Sequence, residues 1–225
     1  MSDDFRDLFA KAKGSAATAR IVRPSGTSGL VGLVAPSGDV ARWGLDALRG
    51  RLVELSARGA TATLTAATEL VLEAQRAAEP VAWITFRNAT FYPPDMADSG
   101  VDLAALVVVR IGDTTAAVRA AERLLRSGAF GLIVLDFGAG GTVEVPVAHQ
   151  GRLVSLAQTH DAAVVCITEK PADAASLGSL VSLRAEAIRL TTREHDHDVT
   201  VRALKDKRRG PGWSRTIKRR GPSGF

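Results

Sequence analysis

Hydrophobic positions along this chain fall into two rhythms. Near the N-terminus, Phe5, Leu8, Phe9 and Ala12 recur at i, i+3, i+4 and i+7, the spacing of one helical face. A Ser/Thr/Gly-rich stretch follows over 14–29, with Ile21 and Val22 as a short strand candidate, so 1–29 reads as a helix and arm. Beyond it, short apolar runs alternate with longer segments of helical spacing. The runs 51–55 (RLVEL), 81–85 (VAWIT), 106–110 (LVVVR), 131–136 (GLIVLD) and 162–168 (AAVVCIT) predict strands. Segments 60–77, 114–127 and 147–160 predict helices.

The run GLIVLD shows no alternation, as expected of a strand covered on both faces. Strands alternating with helices imply a mostly parallel sheet flanked by helices, an α/β fold. The pattern then changes. Residues 186–193 (EAIRLTTR) and 199–204 (VTVRAL) alternate apolar and polar around EHDHD, which predicts an antiparallel hairpin at one sheet edge. The core domain is therefore expected over 30–204. Residues 205–225 are too rich in Gly, Pro and charge to be expected to pack on their own, and read as a basic tail.

Composition narrows the class. With 225 residues, 46% of them hydrophobic, the chain fits one globular domain with short extensions. The single Cys166 excludes a disulfide framework and fits a reducing cytoplasm. The first residues are polar and amphipathic, unlike a signal peptide, and no apolar run approaches the ~20 residues of a membrane span. The net charge of +5 is unevenly placed. From Val199 onward nine cations (Arg202, Lys205, Lys207, Arg208, Arg209, Arg215, Lys218, Arg219 and Arg220) face one acid, Asp206, which leaves residues 1–198 slightly acidic. Such asymmetry points to nucleic acid or another polyanion. Trp213 among these cations suits single strands, where backbone attraction combines with base stacking. An acidic protein surface and a solvated end are the other readings.

The chemistry such a sheet usually carries is incomplete. The first core strand runs into a loop and a long helix, where a phosphate-binding loop G-x-x-x-x-G-K-[ST] would sit. This chain offers Ala57, Arg58, Gly59, Ala60, Thr61, Ala62, Thr63 and Leu64: one glycine, no lysine, and leucine at the metal-ligand position. A degenerate ATPase would need Arg58 as a substitute cation; a plain strand-to-helix loop needs nothing. Asp136 closes GLIVLD where the acid of a Walker B strand would orient Mg²⁺, and without a phosphate loop it reads as a relic or a hydrogen-bonding strand end. His195 and His197 amid Asp196 and Asp198 have metal-ligand chemistry, although a solvated turn explains them with fewer assumptions. Cys166 lies in an apolar run and reads as a packing thiol. No catalytic set, metal or cofactor is expected from the residues alone.

Taken together, these stretches resemble the core of RecA-type recombinases across most of the chain. The segment GRLVELSARGATATL stands in place of that family's strand and phosphate loop. The most specific stretch is 100–136, GVDLAALVVVRIGDTTAAVRAAERLLRSGAFGLIVLD. The final VTVRALKDK matches a V-K-V-x-K-N-K strand, which places Lys205 and Lys207 on its paired lysines. The resemblance puts Arg87 at the family's catalytic glutamate, so hydrolysis is expected to be lost twice over. A small relative of this kind resembles the ImuA family of SOS mutagenesis accessory proteins.

That resemblance implies a non-catalytic, nucleoid-associated accessory protein of translesion synthesis. Its implied partners are RecA, ImuB with the error-prone polymerase complex, and single-stranded DNA. Lys205 and Lys207 would reach the nucleotide of a neighbouring RecA subunit, so that the chain caps a filament end, and the helix of Phe5, Leu8 and Phe9 would grip that neighbour. Solvated lysines and a helix folded on its own core are the plainer readings. A divergent ATPase using Arg58 and Asp136, and a self-assembling RecA paralogue, are the rival functions.

Overall fold

A computed structural model describes residues 42–59, 61–87, 89, 91–138, 143–191 and 196–220. The chain divides into two units, Met1–Ala35 and Pro36–Phe225, and every described residue lies in the second. The helix expected to carry Phe5, Leu8 and Phe9 is outside the described residues.

The described elements begin with a single helical turn, α1 (Leu45–Leu48), followed by β1 (Arg51–Ser56), α2 (Thr63–Arg76), β2 (Val81–Phe86) and α3 (Pro93–Asp98). A 3₁₀ turn (Leu103–Ala105) leads into β3 (Leu106–Ile111), then α4 (Thr114–Arg126), β4 (Leu132–Asp136), α5 (Val147–Thr159) and β5 (Ala163–Thr168). The chain then makes β6 (Leu183–Thr191), β7 (Asp196–Asp206) and β8 (Ser214–Arg220). All eight strands form one sheet, in the order β3-β2-β4-β5-β1-β6-β7-β8. From β3 to β6 neighbours run parallel; β7 and β8 are antiparallel.

Local chemistry explains the element limits. The Asp113 carboxylate accepts from the Ala116 amide at 2.7 Å and caps α4, whose last turn carries Arg123 and Arg126 against the helix dipole. Gly128 follows with φ +67°, a left-handed conformation that ends the helix at little steric cost. Helix α2 starts without a side-chain cap and relies on burial: Ala66, Ala67, Leu70, Val71 and Ala74 are fully enclosed. They share a core with Val53, Leu55, Trp83, Val134 and Val165, alternate positions of the central strands. Helices α4 and α5 pack on each other and on β1, β2, β4 and β5. Strands β1, β4 and β5 are buried throughout, as helices on both sheet faces require, although β1 carries Arg51 and Glu54 among its apolar residues.

The expected antiparallel strands stand at one side of the sheet, where β6 pairs with β7 and residues 196–198 belong to β7 instead of the turn. The edge is β8, built from the segment expected to be a loose tail. Its S-R-T-I-K stretch alternates exposed and half-buried positions and pairs with β7 from Arg202↔Ser214 to Asp196↔Arg220. Trp213, expected as an exposed stacking residue, is buried, with its indole Nε1 donating to Asp206 at 3.1 Å.

Candidate functional site

Open α/β sheets bind ligands beyond the carboxyl ends of their parallel strands. Here that position holds a cavity of about 820 Å³. Its walls come from the loop after β1 and the first turns of α2, from the ends of β2, β4 and β5, and from α3.

The loop after β1 is fastened to the sheet. Thr61 bridges to Ile188 of β6, and the Ala62 amide donates to the Ala187 carbonyl at 3.0 Å. The Thr61 amide donates to the Gly59 carbonyl at 2.7 Å, and the Thr63 amide to the Thr61 hydroxyl at 3.3 Å. The two threonine hydroxyls lie 3.0 Å apart. A phosphate cradle needs successive backbone N–H groups turned toward one centre, and these three already have acceptors. Ala57 is buried; Arg58 and Gly59 are exposed, and Leu64 stands 49% exposed at the position where a hydroxyl would hold Mg²⁺.

Asp136 closes β4 and lines the cavity. It accepts from Trp83 Nε1 at 3.3 Å, Thr85 Oγ1 at 3.4 Å and the Gly138 amide at 3.0 Å. Burial pushes its carboxyl above the usual range, and these neutral donors only partly offset that. Arg87 is exposed in the turn after β2, with its amide tied to the Ile111 carbonyl at 3.0 Å. Carboxylates at Glu69, Asp95, Asp136 and Glu169 line the cavity, and among the described residues no lysine, arginine or histidine does.

The C-terminal cations divide. Lys207 Nζ donates to the Ser179 carbonyl at 2.5 Å, and Arg208 to those of Arg49 and Gly50 at 3.4 and 3.0 Å. Arg215 donates to the Trp43 carbonyl at 2.5 Å and lies 3.6 Å from Glu73. These three therefore brace the fold, and Arg209 too is engaged. Lys205 is half-buried on β7; Lys218 is exposed on β8, which also holds Arg219 and Arg220. Cys166 is enclosed in β5, where burial raises its thiol pKa and the Glu54 charge adds to the effect. His195 lies outside the described residues, and among those described no cluster of His, Cys, Asp or Glu could hold a metal.

Sequence reasoning missed two buried ionic networks. Glu54, in the middle of β1, lies 2.5 Å from Lys170 Nζ and accepts from Thr168 Oγ1 at 2.8 Å and the Leu177 amide at 2.7 Å. Arg184 of β6 lies 3.8 Å from the same carboxylate and donates to the carbonyls of Pro171, Ala172 and Ala174. This network holds the connection between β5 and β6. The second joins Arg51 to Asp206. The available signal was a charge inside an otherwise apolar strand, as in RLVEL.

With this geometry in view, similarity to known proteins takes on meaning. The Protein RecA of Nocardioides sp. is 39% identical over 108 residues, covering 46% of this chain and 30% of that protein. The Protein RecA of Picosynechococcus sp. is 33% identical over 118 residues, covering 48% of this chain and 34% of that protein. No family model matches. About half of the chain thus carries distant RecA homology, and it spans about a third of the length of these curated relatives.

Proposed function

We propose that this chain is a RecA-related protein that neither binds nor hydrolyses nucleotide and works by contact with other macromolecules in DNA repair. One observation carries the reading: at the place of the phosphate loop, the amides of Thr61, Ala62 and Thr63 are taken by the protein's own acceptors, and the described residues lining the adjoining cavity include carboxylates and no cation. A triphosphate entering there would meet like charge with no metal-holding hydroxyl at position 64. Arg87 in place of an acid at the end of β2 removes the base that would activate water.

Within this reading, the finer role is that of an ImuA-like accessory protein of translesion synthesis. Its partners would be RecA and ImuB with the error-prone polymerase, and single-stranded DNA would lie along β8. Lys205 is the better placed of the two β7-end lysines to reach a partner's phosphate, since Lys207 is already engaged by Ser179. The test is a titration of Mg²⁺–ATP by calorimetry beside a RecA pull-down with and without a non-hydrolysable analogue and single-stranded DNA. The reading expects no heat with ATP and capture of RecA that falls in the Lys205→Ala, Lys207→Ala double variant. Saturable ATP binding with Mg²⁺-dependent turnover would overturn it in favour of a divergent ATPase, and no capture of RecA would remove the accessory role.

A further inference from the structure

The same cavity combines an aromatic wall with carboxylates. At about 820 Å³ it is within the range of small-molecule sites, ~300–1,000 Å³. Its walls are aromatic: Trp83 and Phe91 meet at a tilt of 46° with ring centroids 5.4 Å apart, and Phe86 and Phe137 at 47° and 6.3 Å. The Trp83 and Phe91 rings are buried, so they form a fixed wall. Tyr92, 58% exposed, and Leu64, 49% exposed, are large apolar groups at the opening.

Charge supplies the sign. Asp95 and Glu169 are exposed carboxylates on the lining and Asp136 is a buried one, while Glu69 there is engaged in an interaction of its own. Among the described residues the lining includes no cation. Helix α2 presents its first turn to this space, and a helix N-terminus is equivalent to roughly half a positive charge. That is smaller than the summed carboxylate charge. Arg58 and Arg87 are exposed nearby and do not line the cavity.

We propose that the cavity binds an aromatic or aliphatic group carrying one positive charge, an amine or guanidine, and rejects anions of the same shape. The aromatic wall takes the apolar body and the face of a ring favours the cation, while Asp95 and Glu169 neutralise it at the mouth. Burial disfavours the charged form of the Asp136 carboxyl beneath, a penalty that a nearby cation offsets and an anion increases. Whether nucleotide binds is a separate question, because a cation site can fail while the non-nucleotide reading stands.

Phenethylammonium, phenethyl alcohol and 3-phenylpropionate, alike in shape and differing in charge, are titrated into the full chain by ligand-observed NMR and Trp fluorescence. The expected order of affinity is cation, neutral, anion, with the cation weakened by salt. In the Asp95→Asn, Glu169→Gln double variant the cation loses about tenfold in affinity while the alcohol is unchanged. Both positions are exposed, so a matched melting temperature checks that folding is intact. A peptide, N-acetyl-Trp-Arg-amide, binding at least tenfold tighter than phenethylammonium would mark the natural cation as a protein side chain; equal binding would mark a free amine. Equal or tighter binding of the anion, no binding of any probe, or no loss in the double variant would overturn the proposal. Mg²⁺–ATP in the same titration reports on the non-nucleotide reading independently.

Discussion

The guanidinium of Arg51, the first residue of β1, lies 2.6 Å from the carboxylate of Asp206, the last residue of β7, and both side chains are buried. Arg51 also donates to the Ser182 hydroxyl at 2.9 Å and carbonyl at 3.1 Å. Asp206 accepts in addition from Trp213 and from the amides of Arg208 and Arg209 at 2.9 and 3.3 Å. One ion pair thus gathers the start of the sheet, the entry to β6, the end of β7 and the turn into β8.

Removing one member strands the other. Asp206→Ala is expected to cost about 3–5 kcal/mol, the range for breaking a buried pair, whereas the double change Arg51→Met, Asp206→Leu costs less than either single change. Urea unfolding of the four proteins measures this. Burial alone would raise the Asp206 carboxyl, but the Arg208 amide, Arg51 and Trp213 outweigh it and hold its pKa below the ordinary value. The sign follows: its stabilisation is complete above the unfolded pKa of roughly 4 and is lost as pH falls through the lower native value. The wild-type chain should therefore lose more stability between pH 5 and pH 2, roughly, than the double variant.

Trp213 is the second support of this region. Trp213→Ala removes a buried aromatic and the donor to Asp206, with an expected loss of about 3–5 kcal/mol. Trp213→Phe keeps most of the packing and leaves Asp206 one donor short, an expected loss of about 1–3 kcal/mol. Cutting the chain at Gly210 removes β8 and Trp213 together, so a loss of DNA binding there would report unfolding of the edge as well as lost charge. The cleaner experiment is Lys218→Ala, an exposed change expected to leave the melting temperature unchanged. If the β8 cations meet DNA phosphates, it lowers the slope of log affinity against log salt by about 0.7, the value for one phosphate on a single strand.

Glu54 governs a different region. Its carboxylate ties Lys170 and the Leu177 amide to the centre of the sheet, so the β5–β6 connection is pinned from below. Glu54→Gln keeps an acceptor for Leu177 but leaves Lys170 and Arg184 without their counter-charge. Hydrogen exchange is expected to quicken across residues 169–182 in this variant, with strands β2 and β3 unaffected. Uniform quickening across the whole sheet would show instead that Glu54 supports the fold globally.

The alternation of strands and helices was readable because the central strands are covered on both faces and leave mostly apolar runs. The five strand runs and three long helices lie where those runs and helical spacings put them, within a few residues at each end. Helix α3 was not expected, since Pro93 and Pro94 look like loop residues until they occupy the first turn, where a missing N–H is harmless. Strand β8 was hidden for a related reason: Gly210 (φ +77°) and Gly212 (φ +90°) form the turn that returns the chain onto β7, and in sequence they read as breakers. The departure of residues 57–64 from the G-x-x-x-x-G-K-[ST] pattern was visible in sequence; the pairing of the loop with β6 was not, because Thr61 and Ile188 are far apart in the chain. Likewise, the counting of cations could not tell which ones reach backbone carbonyls of their own chain.

Cys166 offers a probe of whether the sheet opens locally. Its side chain is fully enclosed in β5, and Glu54 lies opposite it in the β1 register. Burial, reinforced by the Glu54 charge, raises its pKa and suppresses the thiolate that reacts with disulfide reagents. Modification by Ellman's reagent therefore requires an opening that brings the thiol into water. Because β5 lies between β4 and β1 near the middle of the sheet, that opening should be close to global unfolding. The rate constant is expected to rise with urea with the same slope as the equilibrium unfolding free energy. Asp206→Ala should then speed labelling in proportion to its loss of stability. A fast phase insensitive to urea would show that β5 opens separately from the rest of the sheet.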